Sequence, residues 1–141
     1  MNLIYRCKHR EMNSGTWVKE PIIPVTLSGS NNLKLNFNAV LDSGSDFVLI
    51  PLDVAEVLGL EVNKSEKQDA KFYTGNLFST TESRVTISIS KPRNPTITFS
   101  VKCMVLLDTE KQHDEIILGS GFFEKFKIIF DYPNNKFSIK S

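Results

Sequence analysis

The sequence predicts an all-β fold, a closed or nearly closed β-barrel with one or two short helices. Three observations carry that expectation: apolar and polar residues alternate with a period of two, turn residues separate the alternating runs, and helical spacing is confined to two short places. In the first run Ile23, Val25 and Leu27 alternate with Pro24 and Thr26. After a turn over Ser28 to Asn32, Leu33, Leu35, Phe37, Ala39 and Leu41 alternate with Lys34, Asn36 and Asn38. The result is a β-hairpin with one buried face. Pro51 then precedes a helix over Asp53 to Leu58, in which Val54, Val57 and Leu58 share a face and Gly59 is a favoured left-handed stop. The period of two returns in Val85, Ile87 and Ile89 and again in Ile97, Phe99, Val101, Cys103 and Val105. Lys91 to Pro95 turns between them, with two prolines that cannot donate to a ladder. A second short helix is expected over Gly121 to Phe126 with Ser120 as its N-cap. A strand through Ile128 to Phe130, a turn at Pro133 to Asn135 and a last strand with Phe137 and Ile139 complete the reading.

Composition sets the class. The 141 residues carry 17 Lys plus Arg against 16 Asp plus Glu, a net charge of +1, which argues against a chain that coats nucleic acid. The hydrophobic fraction of 40% and ten Phe supply a packed interior. A domain near this length buries roughly 70% of its extended-chain surface, so neither a disulfide nor a metal is needed to hold it. The longest apolar stretches, Phe47 to Leu52 and Met104 to Leu107, fall far short of the ~20 residues of a membrane-spanning helix. Residues 1–20 mix charges with scattered apolar residues and lack the apolar centre of a secretory signal, so a cytoplasmic protein with reduced Cys7 and Cys103 is expected. Those same residues lack periodicity and read as a flexible arm ahead of a single domain over 21–141.

The informative segment is Ala39 to Leu52, AVLDSGSDFVLIPL. An alternating strand ends in a carboxylate, Asp42, followed at once by Ser43, Gly44 and Ser45, and the chain then returns to an apolar run. Gly44 permits a backbone geometry that a side chain would forbid and lets amide groups approach the Asp42 oxygens. Such a turn holds an ionised carboxylate rigidly, as a general base requires.

This segment resembles the active-site loop of the aspartic peptidases, in which a hydrophobic pair precedes Asp, Thr or Ser, and Gly. A second match lies downstream, where Ile116, Ile117, Leu118 and Gly119 are similar to the strand that backs that loop in the family. Phe122 and Phe123 open the helix that follows it. The tail GFFEKFKIIFDYPNNKFSIK resembles the ending of cellular, prokaryotic and archaeal retropepsin-like proteases, so the likeness covers about residues 21 to 139.

A retropepsin-like resemblance implies a closed six-stranded acid-protease barrel, and a homodimer with its active site on the two-fold axis, because the chain has one Asp-Ser-Gly triplet and the family mechanism needs two carboxylates. The two Asp42 side chains would share one proton and activate a water against a peptide carbonyl, with no metal, cofactor or covalent intermediate. By resemblance Ser43 ties the two loops together, Gly44 orients the carboxylates and Ser45 bonds an outer carboxylate oxygen, while Ile117, Leu118 and Gly119 support the loop. Asp46 contacts substrate backbone, and Phe47, Val48 and Ile50 line apolar subsites. Tyr73, Thr74, Gly75 and Asn76 fall where the family places its flap. The expected partners are a second copy and a polypeptide substrate, with no nucleic acid and no membrane. Retroviral enzymes carry an Arg where this chain has Ser120, which leaves Asp46 without that partner.

Competing readings are weaker. Asp131, before Tyr132 and Pro133, is a turn residue rather than a second catalytic acid. His9, His113, Cys7 and Cys103 match no usual metal-ligand spacing, Gly119 to Gly121 lacks a phosphate-binding fingerprint, and Ser45 is not framed as a nucleophile elbow. The expected activity is therefore that of an aspartic endopeptidase. The rival is a silent dimerisation or peptide-binding module that keeps the same fold, with Asp42 serving only its turn.

Overall fold

A computed structural model of the chain describes residues 1–71, 77–108 and 115–141. The first twenty residues are not a loose arm. Strand β1 (Asn2–Arg6) pairs antiparallel with the carboxyl-terminal segment Lys136–Lys140, Leu3 opposite Ile139 and Tyr5 opposite Phe137. Leu3, Tyr5 and Cys7 all enter the core, a period of two that the charged residues around them obscure in the sequence. Strands β2 (Lys8–Glu11) and β3 (Trp17–Glu20) form a hairpin of their own. It is fastened by an Arg10 to Glu20 ion pair at 2.6 Å and by Lys19 Nζ, which donates to the Tyr132 carbonyl at 2.6 Å.

The hairpin read from the alternation is present as β4 (Ile22–Ser28) and β5 (Lys34–Leu41), with Ile23 opposite Ala39 and Leu27 opposite Leu35. After the short strand β6 (Leu49–Pro51) comes helix α1 (Leu52–Leu58), and Gly59 ends it in the left-handed region at φ 68°. Side chains of the β4–β5 turn meet carbonyls at the end of the helix: Asn31 Nδ2 donates to Val57 O and Ser30 Oγ to Gly59 O. Strand β7 (Gln68–Lys71) pairs with β8 (Leu77–Ile89), and β8 pairs with β9 (Ile97–Leu106) from Thr80 opposite Leu106 to Ile89 opposite Ile97. The β8 to β9 hairpin thus extends well beyond the segments whose alternation reveals it.

Strand β10 (Ile116–Leu118) lies between β5 and β6, parallel to the first and antiparallel to the second. The order of the large sheet is β4-β5-β10-β6-β9-β8-β7, and a return pairing of β4 with β8 joins it into a ring that leaves β7 outside. Helix α2 (Ser120–Phe123) is shorter than the sequence suggests, and Ser120 lies inside it; the cap is Gly119, with no side-chain hydrogen bond. Strands β11 (Lys127–Asp131) and β12 (Lys136–Lys140) close the chain around a 3-10 turn and form the three-stranded sheet β1-β12-β11.

The main core gathers Ile23, Leu27, Ile50, Leu58, Ile87, Ile89, Leu118 and Phe122, among others, each shielded from solvent. Phe122 packs against Phe99 and Phe126 at ring separations of 6.0 and 5.0 Å. A second, smaller cluster of Leu49, Phe78, Met104 and Leu106 is separate from it.

Cys7 and Cys103 are both free and buried. Burial pushes the Cys103 thiol up to about 12, and also raises that of Cys7. A thiol-specific reagent at about pH 8 is therefore expected to leave the native protein unlabelled on the timescale that titrates both thiols of the urea-unfolded chain. Because the folded-state value of Cys103 lies above the unfolded one, its contribution to stability is present below about pH 9 and is lost as pH rises toward about 12. Denaturation midpoints measured across that range check the sign.

Candidate active site

The site is built where two parallel strands end side by side. Leu41 at the end of β5 pairs with Leu118 at the end of β10, and the next residue, Asp42, donates its backbone N–H to the Leu118 carbonyl at 3.1 Å. The chain then turns: Ser45 N–H donates to the Asp42 carbonyl at 3.1 Å, and Gly44 N–H to the Asp42 side-chain Oδ1 at 2.9 Å. The Asp42 carboxylate is therefore exposed yet fixed by a bond from its own loop.

Gly44 has a reason different from the expected one. Its φ is not positive, and a Cβ there would lie 3.2 Å from Asp42 Oδ1. Absence of a side chain admits the carboxylate rather than an unusual backbone conformation. Ser43 is exposed beside Asp42. The Ser45 hydroxyl donates to the Phe47 carbonyl at 2.8 Å and accepts from Phe47 N–H at 3.3 Å, so within one chain it braces the loop rather than touching the Asp42 carboxylate.

Gly119 is the other fixed point. A Cβ on it would sit 2.2 Å from the Phe47 carbonyl oxygen and 2.5 Å from that of Ser45, while the next amide, Ser120 N–H, donates to Ser45 O at 3.0 Å. The end of β10, with Gly119 after it, thus meets the loop through bare backbone.

Above this floor lies a groove of about 290 Å³ lined by Asp42, Gly44, Ser45, Asp46, Phe47, Leu49, Lys71, Phe78 and Ile117. Asp46 and Phe47 line this groove, and Val48 and Ile50 do not. Both are turned into the main core and nearly without solvent contact, Val48 at 1% and Ile50 at 0% exposure, because on an extended segment alternate side chains take opposite faces. The groove is lined instead by Leu49, a member of the second cluster, and by Phe47, which packs against that cluster. Tyr73, Thr74, Gly75 and Asn76 lie outside the described residues. Lys71 and Phe78, on the strands leading to and from that segment, were missed; only the pairing of β7 with β8 brings them to the cleft. Among the described residues no cluster of three or more His, Cys, Asp and Glu is placed to hold a metal, and no helix is long and apolar enough to cross a membrane.

Comparison with known proteins adds independent findings. The family model described as "Aspartyl protease" matches residues 23–122. An uncharacterized protein of Archaeoglobus fulgidus is 31% identical over 104 residues, which cover 73% of this chain and 76% of that protein. Among solved structures, a retropepsin-like aspartic protease from Rickettsia conorii superposes with a TM-score of 0.52 at 18% identity, covering 98% of each chain, and so has the same fold. EIAV protease in complex with the inhibitor HBY-793 matches with a TM-score of 0.49 at 21% identity, over 76% of this chain and 88% of that one.

Proposed function

Since this chain belongs to the aspartyl protease family, we propose that it is a homodimeric aspartic endopeptidase in which the Asp42 side chains of two copies form the catalytic pair. The observation that carries this reading is the Asp42 loop: an exposed carboxylate held by Gly44 N–H, on a backbone whose Asp42 N–H donates to Leu118 O, at the edge of a groove with an apolar floor.

The chemistry follows from bringing two such loops together across a two-fold axis. Two carboxyls a few ångströms apart do not both ionise, so one holds a proton while the other is charged, and the state belongs to the pair. The ionised member removes a proton from a water held between them as that water attacks the peptide carbonyl. The protonated member donates to the carbonyl oxygen, and collapse of the tetrahedral intermediate transfers a proton to the departing amine. Each Gly44 N–H keeps its carboxylate in plane for these transfers. Ser43, exposed next to Asp42, is placed to link the two loops, and Asp46 accepts hydrogen bonds from substrate amides. An extended polypeptide lays apolar side chains over Phe47, Leu49 and Ile117.

The test couples cleavage to assembly. Purified protein is incubated with a diverse library of unstructured peptides from about pH 3 to about pH 7, a span that covers the titration of a carboxylate pair, and products are read by mass spectrometry. Rate per milligram is then followed on dilution alongside the sedimentation coefficient. Activity per milligram is expected to fall in step with the dimer fraction; constant specific activity in a strictly monomeric sample, or no cleavage by pure dimer, overturns the reading.

A further inference from the structure

We infer that Lys71 makes this groove selective for an acidic side chain close to the apolar residue of the bound polypeptide. The inference rests on the groove being where polypeptide lies, and it adds a charge preference that the catalytic reading does not contain.

The groove has two walls of different character. The loop wall supplies Asp42, Gly44, Ser45, Asp46 and Phe47, and behind it Leu49 and Ile117. The other wall is the β7–β8 pair, which supplies Lys71 and Phe78, brought together by the register Ala70 opposite Phe78 and Lys71 opposite Leu77. Both anionic groups therefore stand on the loop, and Lys71 is the one cation among the described lining residues. Neither Lys71 nor Asp46 has an ion-pair partner among the described residues, whose two salt bridges are Arg10 to Glu20 and Lys102 to Glu82.

The three charges have different work in a bound complex. Asp42 faces the scissile group. Asp46, on the loop beside it, takes backbone amides. Lys71, exposed on the rim of the same groove whose apolar residues receive the neighbouring apolar side chain, is left to address a side chain. An extended peptide places residues i and i+2 on one face roughly 7 Å apart, so an apolar residue over Phe47 and Phe78 can present its i+2 neighbour to the Lys71 ammonium. A carboxylate there is attracted by an exposed cation that has no ion-pair partner among the described residues; a neutral amide of the same shape is not.

The experiment uses matched peptides that differ only by Glu or Gln, scanned through the two positions on each side of an apolar anchor. It is read twice: as kcat/KM with the wild-type protein, and as binding to the full-length Asp42→Asn variant by fluorescence anisotropy. At the favoured position Glu is expected to exceed Gln by about threefold to fivefold, the size of an exposed ion pair. The preference should vanish in about 1 M salt, where the Debye length is ~3 Å, and below about pH 4, where Glu is protonated. In Lys71→Glu the ratio should reverse, and in Lys71→Met it should fall to one. Ratios within one variant cancel any general loss of activity.

Equal use of Glu and Gln by the wild-type protein, or a preference that survives in both variants, overturns the assignment while cleavage itself leaves the protease reading standing. A Glu preference in binding that depends on Lys71, with no cleavage by the wild-type dimer, supports the assignment and removes the protease reading. Absence of both binding and cleavage defeats the two together.

Discussion

Asp42→Asn is expected to lower kcat/KM on any cleaved peptide by at least about a thousandfold, toward the upper part of the range for losing a general acid–base group. The change removes the charge and leaves the geometry: Asn keeps an Oδ1 that accepts the Gly44 N–H, now recorded at 2.9 Å, and the backbone bond from Asp42 N–H to Leu118 O does not involve the side chain. Residue 42 is exposed, so stability should change by no more than about 0.5 kcal/mol. Peptide cleavage and urea denaturation of the same preparation separate the two effects. Cleavage at the parental rate by a folded Asn variant would show that another group performs the chemistry.

Gly119→Ala should act in the opposite way, through the fold. The added methyl would fall 2.2 Å from the Phe47 carbonyl oxygen and 2.5 Å from that of Ser45, and both are main-chain atoms that cannot rotate aside. Either the loop moves off β10 or the methyl is accommodated by shifting the β10 backbone. Overpacking against backbone on this scale costs about 3 kcal/mol. The same displacement removes the Ser120 N–H to Ser45 O bond and with it the placement of Asp42. The expected result is a lower urea midpoint together with loss of cleavage. A variant that unfolds like the parent and still cleaves would mean that the close approach is not needed.

How far the sequence reveals this arrangement depends on whether the cause is local. The β4–β5 hairpin, the β8–β9 pairing and the Gly59 stop of α1 are legible because alternation and a left-handed glycine act within a few residues. Asp42 and the Ile117 to Gly119 strand are legible through their likeness to a known family, and the Gly44 N–H bond to Asp42 is a consequence of adjacent residues. The first strand was hidden because Leu3, Tyr5 and Cys7 make only a short alternating run, and its meaning lies in a partner near residues 137 to 139. The assignment of Val48 and Ile50 to the groove failed because a continuous apolar run does not say which alternate residues face which side. Two cores, one on each side of β6, decide it. Lys71 and Phe78 were illegible because only the pairing of β7 with β8 carries them to the cleft.

The bond between Asp42 N–H and the Leu118 carbonyl has a consequence for biosynthesis. Its two ends come off the ribosome far apart in time, and bringing distant segments together is entropically costly before any contact rewards it. A nascent polypeptide that has passed residue 42 but not yet residue 118 owns the acid without the platform that aims it. Translation order thus leaves the Asp42 loop without its support until β10 has been made and has slotted between its neighbours.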